Sequence, residues 1–196
     1  MTQVSDQWLD TKKNLLISEY RANHDMMTGL WNKTSGMDQV RNCLENMSES
    51  DVAVLGFVDI DNFKFVNDTY GHENGDFWIR EIATALQEMC GSSDIACRYG
   101  GDEFIIVIES CARYELENIA KDIYARIAEA DGFRSQIKKY LNHDVEFNEE
   151  KNITCSIGIS YERNVTSESQ ITELIKKADD LMYTVKTGEK GHYAFF

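Results

Sequence analysis

Residues 98–104 read Arg-Tyr-Gly-Gly-Asp-Glu-Phe (RYGGDEF), set between Ile95-Ala96-Cys97 and Ile105-Ile106-Val107-Ile108. Two short apolar runs joined across Gly100-Gly101 predict a β-hairpin over 95–109, its glycines supplying the positive φ that tight turns use. Asp102 and Glu103 then stand at the mouth of a strand that reads as fully buried. Acids beside a turn are ordinarily solvated punctuation. The heptapeptide therefore takes its meaning from whatever the rest of the chain sets against it.

Outward from the hairpin, side-chain periodicity lays out the other elements. VAVLGFVDI (52–60) is a β-rich run ending in acids, ITCSIGIS (153–160) alternates as a strand, and GHYAFF closes as a final strand. Helical spacing predicts helices over about 34–47, 75–90, 113–130 and 167–186, with DNFKFVNDTYGHENGD (61–76) as a polar connection. Residues 131–151 are polar and mixed, and read as an insertion. The order β-α-β-β-α-β with a trailing αβ is the ferredoxin-like split arrangement of the α+β class, an antiparallel sheet backed by helices. Ahead of it, residues 6–23 carry apolar side chains at 8, 9, 15, 16 and 20, a rough helical stripe. Such a helix packs on its own domain or on a copy of itself. The expected organisation is a helical leader over 1–23 and one domain over 24–196.

Composition narrows the function classes. A chain of 196 residues, 42% of them hydrophobic, suits one domain with a real core. No apolar run approaches the ~20 residues that span a bilayer, and MTQVSDQWLDTKKN lacks the apolar stretch of a signal peptide. The expectation is a cytoplasmic protein without membrane insertion. Cys43, Cys90, Cys97, Cys111 and Cys155 are odd in number and scattered, which fits free thiols in a reducing compartment. The four histidines share no zinc-ligand spacing with them. A net charge of −14 repels nucleic acid, so no nucleic-acid partner is expected. It also repels nucleotides, so a nucleotide site needs its own cations.

Asp59 and Asp61 end the first strand, and in the split arrangement that strand neighbours the hairpin carrying Asp102 and Glu103. Acids converging at a strand end are how Mg²⁺ is held, usually by one or two carboxylates plus substrate phosphates. The following loop supplies complementary parts. Asn62 and Phe63 offer backbone N–H groups to a phosphate, and Lys64 adds positive charge. Asn67 and Asp76 suit a base edge, because a carboxylate accepts the paired N1–H and N2–H of guanine and adenine lacks that pair. Lys186 and Lys190, near the end of the last helix, are within reach of a triphosphate. Each residue alone reads as ordinary surface polarity; together they describe a metal–nucleotide site.

Four blocks, in order, resemble the GGDEF family, the bacterial diguanylate cyclases. DMMTGLWNK (25–33) is similar to the family's first motif, with Asp25, Thr28, Gly29, Leu30 and Asn32 in place and Lys33 where arginine is commoner. VDIDNFKFVNDTYGHENGD (58–76) resembles the nucleotide loop almost without departure, and RYGGDEF is the signature. ITCSIGIS and KADDLMYTVKTGEK (177–190) resemble the closing strand and helix, although Gly188 falls one place early and Lys190 replaces an arginine. The likeness covers about residues 24–196, and four ordered blocks are far more specific than the signature alone.

The resemblance implies a nucleotidyl-cyclase, polymerase-palm-like fold and condensation of two GTP into cyclic di-GMP with release of two pyrophosphates. It implies two Mg²⁺ or Mn²⁺ ions per active site, with Asp59, the Ile60 carbonyl and Asp102 as ligands and Glu103 as a further ligand or as general base. Gly100 and Gly101 then serve close approach of the nucleotide, where a side chain would obstruct it. Because one site holds one GTP, a homodimer is implied, and the leader helix either pairs the two protomers or packs back on its own domain. The rival expectation is a degenerate module that binds nucleotide and signals without catalysis. Many relatives also carry an inhibitory Arg-x-x-Asp site for cyclic di-GMP upstream of the signature. Here the stretch is GSSD, with Gly91 in the arginine's place and Asp94 retained, so that site is degenerate.

Overall fold

The computed structural model describes residues 2–47, 52–108, 154–163, 165 and 167–195, with the isolated positions 118, 121 and 125. Strand β1 (Val52–Ile60) is central and buried at every residue. A run this apolar suits a strand covered on both faces. It pairs antiparallel with β3 (Glu103–Ile108) and with β4 (Cys155–Arg163). β2 (Ile95–Arg98) pairs antiparallel with β3, and β5 (Tyr193–Phe195) lies parallel to β4. The order β2-β3-β1-β4-β5 is the expected split arrangement with the trailing strand added at one edge.

Helices α1 (Thr2–Asn23), α2 (Lys33–Glu45), α3 (Phe63–Tyr70), α4 (His72–Met89) and α5 (Glu168–Thr187) complete the described elements. α4 sets Ile79, Ile82 and Leu86 against Val54, Val58, Ile60 and Phe104. On the other face, Val40 and Leu44 of α2 and Leu174, Ala178 and Met182 of α5 meet Leu55, Phe57, Ile105 and Val107. Strand alternation therefore assigns odd positions of β1 and β3, Asp59 and Glu103 included, to the α5 side. At Gly158 of β4 an added Cβ would run into the Ala178 and Met182 backbone, so α5 rests directly on the sheet there.

Two boundaries depart from expectation. The polar connection 61–76 holds α3 and the first turn of α4. α3 is only 8 residues long and rich in Asn, Asp and Thr, so its periodicity is faint, yet it buries Val66. Gly71, at φ 86°, turns the chain from one helix into the next. β4 also continues past residue 160 to Arg163, paired with Val52. The expected helix over 113–130 (apart from positions 118, 121 and 125, which are helical) and the 131–151 segment lie outside the described residues.

α1 leaves Trp8, Leu9, Leu15, Leu16 and Tyr20 largely exposed. Its C-terminal end is fastened: Asn32 Nδ2 donates to the Ala22 carbonyl at 2.7 Å and Ser35 Oγ to Asn23 Oδ1 at 2.8 Å. The His24 ring stacks between Tyr20 and Trp31, at 4.1 and 4.4 Å. Among the described residues no helix is long and apolar enough to cross a membrane.

Candidate active site

Asp59 and Glu103 are directly opposed cross-strand partners at the end of β1 and the start of β3. One residue on, the Ile60 N–H donates to the Asp102 carbonyl at 3.2 Å, so the signature turn is stitched to the strand end. From the α5 side, Lys186 Nζ lies 2.6 Å from both carboxylate oxygens of Asp59.

Asp59 is only 3% exposed. Burial pushes its carboxyl up to about 6 against the pull of Lys186, and the charges of Asp102 and Asp61 add to the rise. Lys186 is drawn down by burial, but Asp59, Asp102 and Asp61 more than reverse this and hold the ammonium above its ordinary value. The pair is lopsided because the Lys186 side chain keeps 36% of its surface in water and the Asp59 side chain keeps 4%.

Asp61 does not join these acids as the strand-end reading expects. It is fully buried and accepts from Thr154 Oγ1 at 2.7 Å, Ser156 Oγ at 2.7 Å and the Gly191 N–H at 3.0 Å. β1 has ended by then, so alternation no longer governs where the side chain turns. Asp61 is a structural carboxylate joining the β4 and β5 approaches.

The glycines also behave differently from the hairpin reading. Among the described residues, positive φ falls at Asn62, Gly29, Gly71 and Gly191, and at neither Gly100 nor Gly101. Five residues, 99–103, separate the last register pair, Arg98 and Phe104, so a tight left-handed turn is not required. Space is what matters: a Cβ on Gly100 would strike the Glu103 carboxylate, whereas Gly101 faces nothing within 4 Å.

Asn62 is the N-cap of α3 in the left-handed region, φ 57° and ψ 21°, and its side chain makes no cap bond to the helix. Asparagine tolerates that conformation. Its Oδ1 instead accepts from Lys190 Nζ at 2.9 Å, while Lys64 is exposed. The first N–H groups of α3, at Phe63 and Lys64, thus have no side-chain cap, the usual condition for anion binding at a helix start. At the α3–α4 elbow the Asn67 amide rests on Gly75, where a Cβ would collide with it, and half-buried Asp76 follows.

The donor set fits a hard divalent cation. It is all oxygen, with Asp59 and Asp102 both acting on the Lys186 ammonium. Among the described residues no cluster of three ligating side chains is assembled, so phosphate or water oxygens must complete any coordination.

Residues 22–192 match the family described as "Diguanylate cyclase, GGDEF domain". The chain belongs to the GGDEF family. Diguanylate cyclase DgcN of Escherichia coli K12 is 32% identical over 165 residues, covering 83% of this chain and 36% of that protein. Cyclic di-GMP phosphodiesterase PdeR of the same organism is 32% identical over 176 residues, covering 89% of this chain and 24% of that protein. The chain thus spans well under half the length of either relative. The solved coiled coil and GGDEF domain of DgcB from Caulobacter crescentus, in complex with c-di-GMP, superposes with a TM-score of 0.74 at 23% identity, covering 98% of this chain and 95% of that one.

In this GGDEF domain the GSSD stretch closes on itself: Asp94 Oδ2 accepts the Gly91 N–H at 2.7 Å. Beside it lies a cavity of about 380 Å³ lined by His24, Trp31, Gln87, Cys90 and Asp94 among others. Sequence reasoning overlooked Arg98 and Asp25. Their side chains meet 3.2 Å apart across 73 residues, and only the presence of both in separate family blocks hinted at it.

Proposed function

We propose that this domain condenses two GTP into cyclic di-GMP and two pyrophosphates. The observation that carries the reading is the meeting of two separate acidic motifs at one strand end, Asp59 opposite Glu103 with Asp102 bonded to Ile60. In this reading Asp59, the Ile60 carbonyl and Asp102 hold two Mg²⁺ or Mn²⁺ ions. When bound, these ions lower the pKa of the 3′-hydroxyl and neutralise phosphate charge.

The chain's own groups do the rest. The α3 start at Asn62, Phe63 and Lys64, together with Lys186 and Lys190, receives the triphosphate. Asn67 and Asp76 read guanine, and Gly100-Gly101 leaves room for the nucleotide. Each 3′-oxygen bonds to the α-phosphorus of the other GTP as that phosphorus parts from pyrophosphate. Glu103 serves at the hydroxyl as ligand or as the base that takes its proton.

A single site holds one GTP, so the reaction needs two protomers facing each other. The exposed Trp8, Leu9, Leu15, Leu16 and Tyr20 of α1 give a second copy an apolar face to cover. The match to a solved coiled-coil-plus-GGDEF chain extends over 98% of this one and so takes in α1. Cytoplasmic location, and the absence of nucleic-acid partners, remain part of this reading.

Incubation with GTP and Mg²⁺, with chromatographic detection of the cyclic dinucleotide, tests it, alongside solution mass with and without nucleotide. One observation favours a second reading, a nucleotide-binding module without catalysis: Lys186 covers both oxygens of Asp59. GTP binding with no product would select that reading.

A further inference from the structure

Arg98 is the last residue of β2, and its side chain is only 13% exposed. Two of its nitrogens grip one carbonyl of the signature turn: Nε and Nη2 lie 3.2 and 2.7 Å from the Gly101 oxygen. Its remaining nitrogen, Nη1, lies 3.2 Å from each carboxylate oxygen of Asp25. Asp25 is fixed in turn, accepting from the Thr28 N–H at 2.9 Å and Thr28 Oγ1 at 2.8 Å.

A second tie runs the opposite way. Lys33, the first residue of α2, places Nζ 3.8 Å from the Tyr99 ring centroid, and Tyr99 stands edge-on to Phe57 at 5.3 Å. The turn is thus clasped from one segment by both of its leading residues. That segment is bonded to the end of α1 through Asn32 and Ser35.

The Gly101 carbonyl belongs to the peptide that carries the Asp102 N–H. Fixing its plane restricts how Asp102 leaves the turn, and the Asp102 carbonyl then meets Ile60. A guanidinium gripping a carbonyl with two N–H groups while pairing with a carboxylate is work that an ammonium, a point charge, does not reproduce. We propose that Arg98 and Asp25 are positioning residues that set the Gly101–Asp102 peptide for the acid site, with Lys33 bracing Tyr99 beside it. The proposal rests on the cyclase reading above.

Arg98→Lys is the decisive variant, since it keeps a cation for Asp25 and gives up the double grip on Gly101. The full chain is assayed for kcat and KM with GTP and Mg²⁺, for Mn²⁺ affinity from the free-ion paramagnetic resonance signal, and for Tm. The expected result is a kcat loss of about tenfold or more and weaker Mn²⁺ binding, with KM for GTP nearly unchanged and Tm within a few degrees of wild type. Asp25→Asn should lower kcat in the same sense, and Lys33→Arg, which keeps a cation over the ring, should restore what Lys33→Met loses. Wild-type kcat and Mn²⁺ affinity in Arg98→Lys would overturn the proposal while leaving the cyclase reading intact. A wild-type chain that neither binds Mn²⁺ nor forms product would overturn both.

Discussion

Lys186 Nζ rests 2.6 Å from both carboxylate oxygens of Asp59, so the acid that the sequence marks as a metal ligand already has a cation from its own chain. In the cyclase reading, metal, proton and ammonium would compete for the same two oxygens.

Metal binding should therefore weaken as pH falls below about 6, where Asp59 takes up its proton. Proton competition at one ligand gives about a tenfold loss of apparent affinity per pH unit. The stability sign is opposite. Because Asp59 binds its proton more tightly folded than at the ordinary value of 3.8, its contribution to stability rises as pH falls through about 6 toward that value. Lys186→Met removes the counter-charge and should move the acid limb to higher pH. Mn²⁺ titrations between pH 5 and 8, on the order of the ordinary working range for such groups, give both midpoints; an unmoved midpoint would refute the assignment.

Asp102→Asn should abolish cyclisation and leave the fold intact. The backbone carbonyl that holds the Ile60 N–H is untouched by the change, which removes only side-chain charge. Near-normal turnover with Mg²⁺ and an unchanged circular dichroism spectrum would sink the ligand role.

Gly75→Ala should raise KM for GTP by about tenfold, because its Cβ would collide with the Asn67 amide and displace it from the base. Asp76→Ser should instead relax selectivity toward mixed dinucleotides. A competition assay with equal ATP and GTP reads both, and equal products from the unaltered chain would contradict guanine recognition.

Cyclic di-GMP should inhibit weakly and in competition with GTP. At the GSSD turn, Asp94 is bonded to the Gly91 N–H at 2.7 Å, and no arginine fork stands at position 91. Gly91→Arg should install stronger inhibition, although its Cβ would stand 3.2 Å from Asp94 Oδ2 and must shift that carboxylate slightly. Sub-micromolar, non-competitive inhibition of the unaltered chain would contradict the expectation.

Asp61→Ala should cost about 2–4 kcal/mol, since it strands the buried Ser156 hydroxyl and the Gly191 N–H together. Urea unfolding measures the loss; a cost below about 1 kcal/mol would show that water replaces the carboxylate.

Much of this was legible beforehand because the signals were local. Val52–Ile60 was recovered to the residue, since a continuous apolar run ends in acids there. Asp59 and Glu103 fell together once the split topology was read, because that topology makes β1 and β3 neighbours. The failures share another cause. α3 was hidden by a short, polar sequence, and Asp61 looked like a site residue because its three partners come from positions 154, 156 and 191. Arg98 likewise shows its role only once Asp25, far away in sequence, is brought beside it. Spacing reports what neighbours do, and tertiary closure is needed for the remainder.

Gly158 acts as a gauge. By admitting the Ala178 and Met182 backbone with no side chain between, it fixes how deep α5 seats on the sheet, and Lys186 lies one turn beyond Met182 on that helix. A lysine's reach is finite, so a single methyl at this glycine would lift the helix like a shim under a lever. The damage would surface at the far end, as an Asp59 that has lost its ammonium, in a residue that Gly158 never touches.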